Sequence, residues 1–212
     1  MANGTYGWPG MKITILVEGK TEQAFKPILV SYLRQQLGNR MPKLDFFPYD
    51  GRIPKGDKLK VKVQRTLEGR DASDHVIALT DVYTGTGDFS GADDAKQKMR
   101  DWVGDEARFT PHVALHDFEA WLLPYWNEIK QLSGHNKAAP GSNPESVNHT
   151  KSPSYHIKEV FAAGKSSRHY SKVRDAARIL RDKDLRVAID KCSELKSFIN
   201  TILRLSGADE IQ

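Results

Sequence analysis

The sequence has very little cysteine and no long apolar run, and both absences narrow the class of protein. Cys192 is the single cysteine among 212 residues, so no disulfide can form within the chain and no cysteine pair is available for a zinc knuckle. No apolar stretch approaches the roughly 20 residues needed to cross a bilayer, and the N-terminus lacks the charged and apolar regions of a secretory signal. We therefore expect a cytoplasmic protein that does not associate with membranes.

Three common active-site motifs are also missing. The chain contains no G-x-x-x-x-G-K-[ST] loop, which excludes a P-loop ATPase, and no G-x-S-x-G elbow, which argues against an esterase. The Gly-rich segment 85–91 (GTGDFSG) lacks the G-x-G-x-x-G spacing of a dinucleotide-binding turn and follows an acidic residue. These absences disfavour nucleotide-cofactor chemistry and serine hydrolysis.

The alternation of apolar runs and helical periodicity predicts an α/β fold with a parallel sheet flanked by helices and a small C-terminal helical extension. The predicted strands are 12–17, 44–49, the run that ends at Asp81 and the run 112–116. The predicted helices are 21–37, 57–68, 92–103, 117–126, 155–162, 171–181, 185–189 and 194–205. In a parallel sheet the ligand site lies beyond the carboxyl ends of the strands.

Length and composition predict one main domain with an appendage. Residues 1–10 form a turn-rich segment that we expect to be a disordered or added tail, and residues 11–130 are expected to form the α/β domain. Residues 131–154 are rich in Gly, Pro, Ser and Asn, which predicts a flexible loop. Residues 155–212 are expected to form a basic helical extension packed on the α/β domain.

Charge is distributed unevenly along the chain. Residues 1–70 hold 13 Lys and Arg against 6 Asp and Glu, residues 71–125 hold 4 against 11, and residues 126–212 hold 15 against 10. Basic ends suit a polyanion, and concentrated carboxylates suit divalent cations that lie between protein and phosphate. Solvated charge on ordinary surface helices explains the same balance equally well.

The first candidate site is the turn after the first predicted strand, in the segment ITILVEGKTE. Glu18 lies in this turn, and Glu22 lies four residues later at the start of a helix, so both carboxylates can face one point. Lys20 lies between them, where it can contact a phosphate or point into solvent. Glu22 also has a structural interpretation, because a helix N-terminus stabilises negative charge.

Four further acids lie at or after the ends of later strands. Asp81 ends its strand, and Asp88 lies in the Gly-rich loop after it, where it is either a second ligand for the same ion or a turn residue. In the segment HDFEAWLL, Asp117 is a candidate helix N-cap and Glu119 a candidate ligand. His116 is a weaker candidate ligand, because oxygen-rich surroundings favour Mg²⁺ or Mn²⁺ over zinc.

A basic segment lies near the C-terminus. Residues 151–191 hold 11 Lys and Arg against 5 Asp and Glu. This composition predicts a surface that grips phosphates and stacks a base on a tyrosine, although a solvated helix face is an equal alternative. The candidate nucleic-acid-binding residues are Lys165, Arg168, Tyr170, Lys172 and Arg174.

Four blocks of the sequence resemble a bacterial Toprim-like family known as domain-of-unknown-function family 4276. They are VEGKTEQAF, the loop from Asp81 that ends in DFSG, HDFEAWLL, and the late segments PSYHIKEVF, YSKVRDAARI and LRVAIDKCSELKSFINTI. A Glu after the first strand and an Asp after a later strand are also similar to the Toprim domain of topoisomerases, primases and the nucleases of the overcoming-lysogenization-defect group. The resemblance implies a Toprim-like sheet.

By this resemblance Glu18 matches the Toprim glutamate that binds metal or acts as general base, and Asp81 matches the first acid of the Toprim Asp-x-Asp pair. The second position is Tyr83 here, and Asp88 or Glu119 is the expected replacement. The resemblance also implies that Glu22 shares the metal site.

The resemblance thus implies a Mg²⁺- or Mn²⁺-dependent nuclease acting on DNA or RNA, with a possible AAA- or ABC-type ATPase partner and a role in phage defence. The alternative is a catalytically inactive module that binds nucleic acid or a partner. Nucleotidyl transfer and topoisomerase activity are weaker, because the chain carries no recognisable nucleotide-binding segment and little room for a tyrosine-bearing domain. Oligomeric state stays open.

Overall fold

Four parallel strands form the centre of the fold. The computed structural model describes residues 10–49, 51–83, 87–147, 151–165 and 168–212, and for Lys20 it describes the backbone alone. The strands are β1 (Lys12–Val17), β2 (Lys43–Pro48), β3 (His75–Asp81) and β4 (Phe109–Ala114). Their order in the sheet is β2-β1-β3-β4, and all neighbours run parallel. Every residue of β1 and β3 is buried, as expected for central strands covered on both faces.

The helices lie between and after the strands. Their bounds are α1 (Lys20–Leu37), α2 (Asp57–Glu68), α3 (Ala92–Val103), α4 (Trp126–Ser133), α5 (Pro153–Ala163), α6 (Lys172–Leu180), α7 (Arg186–Ile189) and α8 (Ser193–Leu205). Short 3-10 helices span Gly38–Arg40, Phe118–Tyr125 and Pro144–Ser146. None of the described helices is both long enough and apolar enough to cross a bilayer.

Two hydrophobic clusters cover the two faces of the sheet. On one face the core is formed by α1, the 3-10 helix Phe118–Tyr125 (called the 3-10 segment below) and the C-terminal helices. In this core the Trp121 ring centroid lies 5.7 Å from that of Phe25 and 6.1 Å from that of Phe198. On the other face α2 and α3 bury Val63 and Met99 against β3 and β4. The helices after residue 153 therefore complete the main core of the molecule.

The predicted fold class, a parallel α/β sheet flanked by helices with C-terminal helices, is confirmed. The bounds of β1, α2 and α3 agree with the prediction, whereas β4 begins three residues earlier than predicted, at Phe109. Pro111 lies within β4 opposite Ala78, and an edge strand tolerates proline because one side of its backbone needs no partner.

Two predicted segments differ from the structure. The predicted helix 117–126 is a 3-10 helix that contains Pro124 and continues directly into α4. Within the predicted flexible loop 131–154, the buried carboxylate of Glu145 accepts hydrogen bonds from the Ser193 hydroxyl (2.9 Å) and the Glu194 N–H (3.1 Å). This part of the loop is held against the start of α8, because a buried carboxylate requires partners.

Candidate active site

A cavity of about 490 Å³ opens at the carboxyl ends of β1 and β3. It is lined by acids, two basic side chains and an aromatic edge. The lining residues that matter here are Glu18, Glu22, Asp81, Arg52, Lys172, Tyr83 and Phe118. Because the strands are parallel, residues that are far apart in sequence meet at this one edge.

Glu18 leaves β1 and turns back over the end of β3. Its Oε1 atom accepts hydrogen bonds from the Thr80 hydroxyl and from the Asp81 N–H, the latter at 3.3 Å. Burial raises the pKa of the Glu18 carboxyl, and the two hydrogen bonds offset part of that rise. The carboxylate is thus oriented by β3 before any ligand binds.

Glu22 lies in the first turn of α1. Its Oε2 atom accepts the Gly19 N–H at 3.2 Å, which closes the start of the helix. The side chain is buried, and burial raises the pKa of this carboxyl. Glu22 therefore both stabilises the start of α1 and lines the cavity, because the helix begins at the cavity wall.

Asp81 is the last residue of β3, and its carboxyl group is fully surrounded by protein near three other acids. Burial raises its pKa well above the usual range for an aspartate, and the nearby charges of Glu18, Glu22 and Asp117 raise it further. The Tyr83 hydroxyl donates a hydrogen bond to Asp81 Oδ2 at 2.7 Å. Tyr83, where the resemblance implies a second acid, is thus a hydrogen-bond donor to Asp81.

Asp88 lies beside the site but is engaged by basic residues. Arg52 forms an ion pair with Oδ2, and the Lys55 ammonium lies 2.6 Å from Oδ1. Both carboxylate oxygens therefore face cations from the loop before α2. In this arrangement Asp88 holds that loop in place, which does not match the expected position of a metal ligand.

Glu119 and Asp117 lie at the start of the 3-10 segment. Glu119 is fully buried, with the Lys172 ammonium 3.1 Å from its carboxylate oxygens, and burial together with Asp117 raises its pKa to about 7. Asp117 is 1% exposed; its Oδ2 accepts the Ser154 N–H at 3.2 Å, and its Oδ1 has no hydrogen-bond partner within the described residues. Asp117 occupies the N-cap position of the 3-10 helix Phe118–Tyr125, as predicted, but its side chain makes no capping hydrogen bond.

The structure places the predicted nucleic-acid-binding residues in different environments. Lys172 reaches the cavity, and Lys165 is exposed on the surface. Arg168 and Arg174 both pair with the buried Asp175, at 2.7 Å and 3.2 Å. Tyr170 is 8% exposed and packs on Phe161, so its ring is not available to stack a base, contrary to the prediction.

Several features singled out in the sequence lie wholly or partly outside the described part of the chain. They are residues 1–9 of the predicted tail, Gly85 of the Gly-rich segment, residues 148–150 of the predicted loop and the side chain of Lys20. The expectation that Lys20 contacts a phosphate stays a prediction.

Comparison with known proteins places this arrangement in a family. The profile of the domain of unknown function DUF4276 matches residues 17–203. The chain belongs to the DUF4276 family. No curated protein matches the sequence.

A solved structure supports the fold assignment of this DUF4276 protein. The C-terminal region of the Burkholderia pseudomallei OLD protein is similar over 92% of this chain and 98% of that one, with a TM-score of 0.55 and 12% sequence identity. At that identity the likeness concerns the fold alone. The expected membership of the DUF4276 family is confirmed by the family match, and the expected likeness in fold to the OLD group is confirmed by this structure.

The chemistry of the acids fits a divalent cation. Five buried carboxylates (Glu18, Glu22, Asp81, Asp117 and Glu119) gather near the cavity, and the pKa of four of them is raised. In all four, burial raises the pKa by more than hydrogen bonds and nearby cations lower it, so the charged forms are incompletely stabilised. Carboxylate oxygens are ligands that Mg²⁺ and Mn²⁺ accept. Among the described residues, no three acidic, histidine or cysteine side chains surround a common point as they stand, so holding an ion requires the carboxylates to turn.

Two residues near this centre escape prediction from the sequence. The sequence pattern favours a helix-cap role for Asp117. Its position after a strand and two residues before Glu119 is nevertheless a signal that could have identified it as a site residue. Arg52 belongs to the turn between β2 and α2, and its place beside Asp81 depends on the neighbouring positions of β1 and β2 in the sheet.

Proposed function

We propose that this DUF4276 protein is a divalent-metal-dependent nuclease that hydrolyses phosphodiester bonds in DNA or RNA. The observation that carries the proposal is the set of buried carboxylates with raised pKa beside Arg52 and Lys172 in one open cavity. The buried carboxylates can bind a metal cation, and the positive charges of Arg52 and Lys172 can bind a phosphate group.

Each residue has a role that its position supports. Glu18 and Asp81 would hold Mg²⁺ or Mn²⁺, with Glu22 and the Asp117–Glu119 pair as further oxygen ligands. A bound ion would polarise the scissile phosphate and lower the pKa of a coordinated water. Lys172 and Arg52 line the same cavity and would stabilise the charge that develops on the phosphate.

The partners of the protein are proposed on charge and family resemblance. The net charge of +5 suits a polyanionic substrate. An ATPase partner, a role in phage defence and a cytoplasmic location are proposals that follow from the resemblance and from the sequence.

A cleavage assay tests the proposal. The protein would be incubated with plasmid, single-stranded DNA and tRNA in millimolar Mg²⁺ or Mn²⁺, and products would be resolved on gels. We expect cleavage that requires the metal and falls roughly 10²-fold or more in Glu18→Gln and Asp81→Asn, because each change removes a carboxylate that the cation needs.

Matched controls use exposed acids outside the cavity. Glu68→Gln and Asp105→Asn make the same chemical changes on the surface and should leave cleavage unchanged. Cleavage that survives Glu18→Gln and Asp81→Asn would exclude this site as its source.

A second candidate function is a non-catalytic module that binds nucleic acid or a partner protein. The hydrogen bond from Tyr83 to Asp81 favours it, because one oxygen of the key aspartate already has a partner. Calorimetric titration with Mn²⁺ separates the two candidates. Absence of metal binding at millimolar ion would favour the binding module, and binding that disappears in Asp81→Asn would favour the nuclease.

A further inference from the structure

A second basic surface lies on the side of the cavity opposite the C-terminal helices. Residues 51–70 contain seven Lys and Arg against two Asp and Glu. They form the loop before α2 and α2 itself, which packs on the sheet beside the edge strand β2. None of these basic residues is among the candidate nucleic-acid-binding residues that the sequence pattern favours.

An aromatic pair accompanies this charge. Phe47 lies on β2, at an edge of the sheet, and 42% of it is exposed. Its ring contacts Tyr49 edge-on at 5.2 Å, and the Lys62 ammonium lies 3.3 Å from its centroid. A single exposed aromatic residue needs no explanation, but one bracketed by a lysine and a second aromatic ring resembles a stacking platform.

Basic side chains continue from Phe47 along the outward face of α2. Lys58, Lys62 and Arg65 recur at spacings of four and three residues, which places them on one face. Burial and the nearby charge of Arg65 lower the pKa of Lys62, while Asp45 on β2 opposes that effect. Lys62 and Arg65 thus lie close enough for their charges to repel each other, with Asp45 partly offsetting that repulsion.

The surface leads directly to the candidate active site. The Tyr49 N–H donates to the Val17 carbonyl at 2.8 Å, and the Gly51 N–H donates to the Glu18 carbonyl at 3.2 Å. The next residue, Arg52, lines the cavity. A nucleic-acid strand that lies on Phe47 and Tyr49 would therefore lie next to the cavity that holds the carboxylates.

We propose that the basic–aromatic strip, defined as Phe47, Tyr49, Lys58, Lys62 and Arg65, binds single-stranded nucleic acid and leads it into the cavity. The inference rests on the proposed nuclease function for its destination, but binding to the strip does not require cleavage. Single strands are favoured over duplexes because unstacked bases can lie on the aromatic rings while phosphates meet the lysines.

Fluorescence anisotropy with a labelled single-stranded oligonucleotide tests the strip. The protein would carry Glu18→Gln and the buffer EDTA, so that neither cleavage nor metal binding enters the measurement. We expect Phe47→Ala to weaken binding about tenfold. The double variant Lys58→Gln/Lys62→Gln should flatten the dependence of log affinity on log salt by about 0.7 for each phosphate that the variant no longer neutralises.

Two controls match these changes elsewhere on the surface. Tyr155 is 45% exposed and has the Lys151 ammonium 4.6 Å from its ring, so Tyr155→Ala removes an equivalent aromatic–lysine contact. Lys60 is exposed on α2 but lies off the Lys58–Lys62 face, so Lys60→Gln removes one lysine charge from the same helix without changing the strip. Both variants should bind as the parent does, and circular dichroism would verify that all variants fold.

Several outcomes would overturn the inference. They are no binding of the oligonucleotide by the parent, equal binding by Phe47→Ala, or tighter binding to a duplex with no loss from Phe47→Ala. Selective binding of an acidic protein in place of the oligonucleotide would also overturn it. Because catalysis is disabled throughout, binding that depends on the strip would stand even if the cleavage assay showed no nuclease activity.

Discussion

At the scale of single residues, the carboxylates at the strand ends lie in surroundings that disfavour their charge. Burial raises the pKa of both Glu18 and Asp81, and the charge of Glu22 raises both pKa values further. An acid whose pKa is raised on folding destabilises the fold at pH values where it is charged, and this cost disappears as pH falls through its folded pKa. Such a cost is typical of functional sites.

We therefore expect Asp81→Asn to stabilise the protein near neutral pH, by about 1 kcal/mol in the free energy of unfolding. Asparagine keeps an oxygen for the Tyr83 hydroxyl and removes the charge that Glu18 and Asp117 repel. Thermal denaturation followed by circular dichroism would measure the change. The gain should shrink at acidic pH, where Asp81 itself becomes protonated.

The control for this prediction is the exposed Asp105→Asn, which should leave the melting temperature unchanged. Addition of Mn²⁺ should raise the melting temperature of the wild type more than that of Asp81→Asn, because only the wild type keeps the full set of oxygen ligands. A less stable Asp81→Asn variant would show that the carboxylate is structural.

At the scale of elements, α6 depends on one buried acid. Asp175 is fully buried, and its carboxylate accepts hydrogen bonds from Arg168 Nη1 at 2.7 Å and from the Ser171 N–H at 2.8 Å. Burial acts to raise the pKa of Asp175, but these hydrogen bonds and the one from Arg174 outweigh it and lower the pKa to about 2. The same helix packs against α1 and carries Lys172 into the cavity, so Asp175 positions a site residue.

Asp175→Asn should lower the free energy of unfolding by about 2 to 3 kcal/mol, because a buried charge pair loses one partner. An acid with a lowered folded pKa stabilises the fold above its unfolded value of 3.8, and that contribution is lost as pH falls from there to about 2. Urea denaturation at neutral pH would measure the change.

Asp190 provides the matched comparison for Asp175. It pairs with Arg186 at 2.6 Å on the surface, with about half of its side chain exposed. Asp190→Asn should cost well under about 1 kcal/mol, because exposed ion pairs contribute little. Equal losses in the two variants would contradict the burial argument.

At the scale of the whole molecule, the C-terminal helices and the sheet share one hydrophobic core. Phe198 on α8 stacks on Trp121, and Phe161 on α5 lies in the same cluster. A chain that ends at residue 130 would keep α1 and the 3-10 helix Phe118–Tyr125 on this face but would lose the C-terminal helices that complete the core. We expect residues 11–130 alone to lack a cooperative unfolding transition, because exposed apolar surface replaces a packed core.

Near-ultraviolet circular dichroism and thermal scans would test this expectation. The control is a chain of residues 11–212, which keeps both clusters and should unfold like the 212-residue chain. A cooperative transition for residues 11–130 would show that the sheet with α1 to α3 is stable alone.

Much of the fold can be predicted because its signals are local. The buried runs of β1 and β3 and the helical spacing in α2 and α3 are properties of short segments, and glycines such as Gly69 and Gly104 mark the ends of the two helices. Segments without such periodicity are harder to predict. The 3-10 segment from Phe118 has an apolar composition that suits a helix of either kind.

The amino-acid sequence alone is enough to predict the parallel α/β class, the family and the position of Glu18 and Asp81 at the ends of their strands, because parallel strands end at a common edge. The environment of each acid, in contrast, becomes known only from the folded chain. Asp88 meets Arg52 and Lys55, whereas Asp117 is buried beside Glu119. The physical reason is that burial and ion pairing arise from residues far apart in the chain, which no local pattern records.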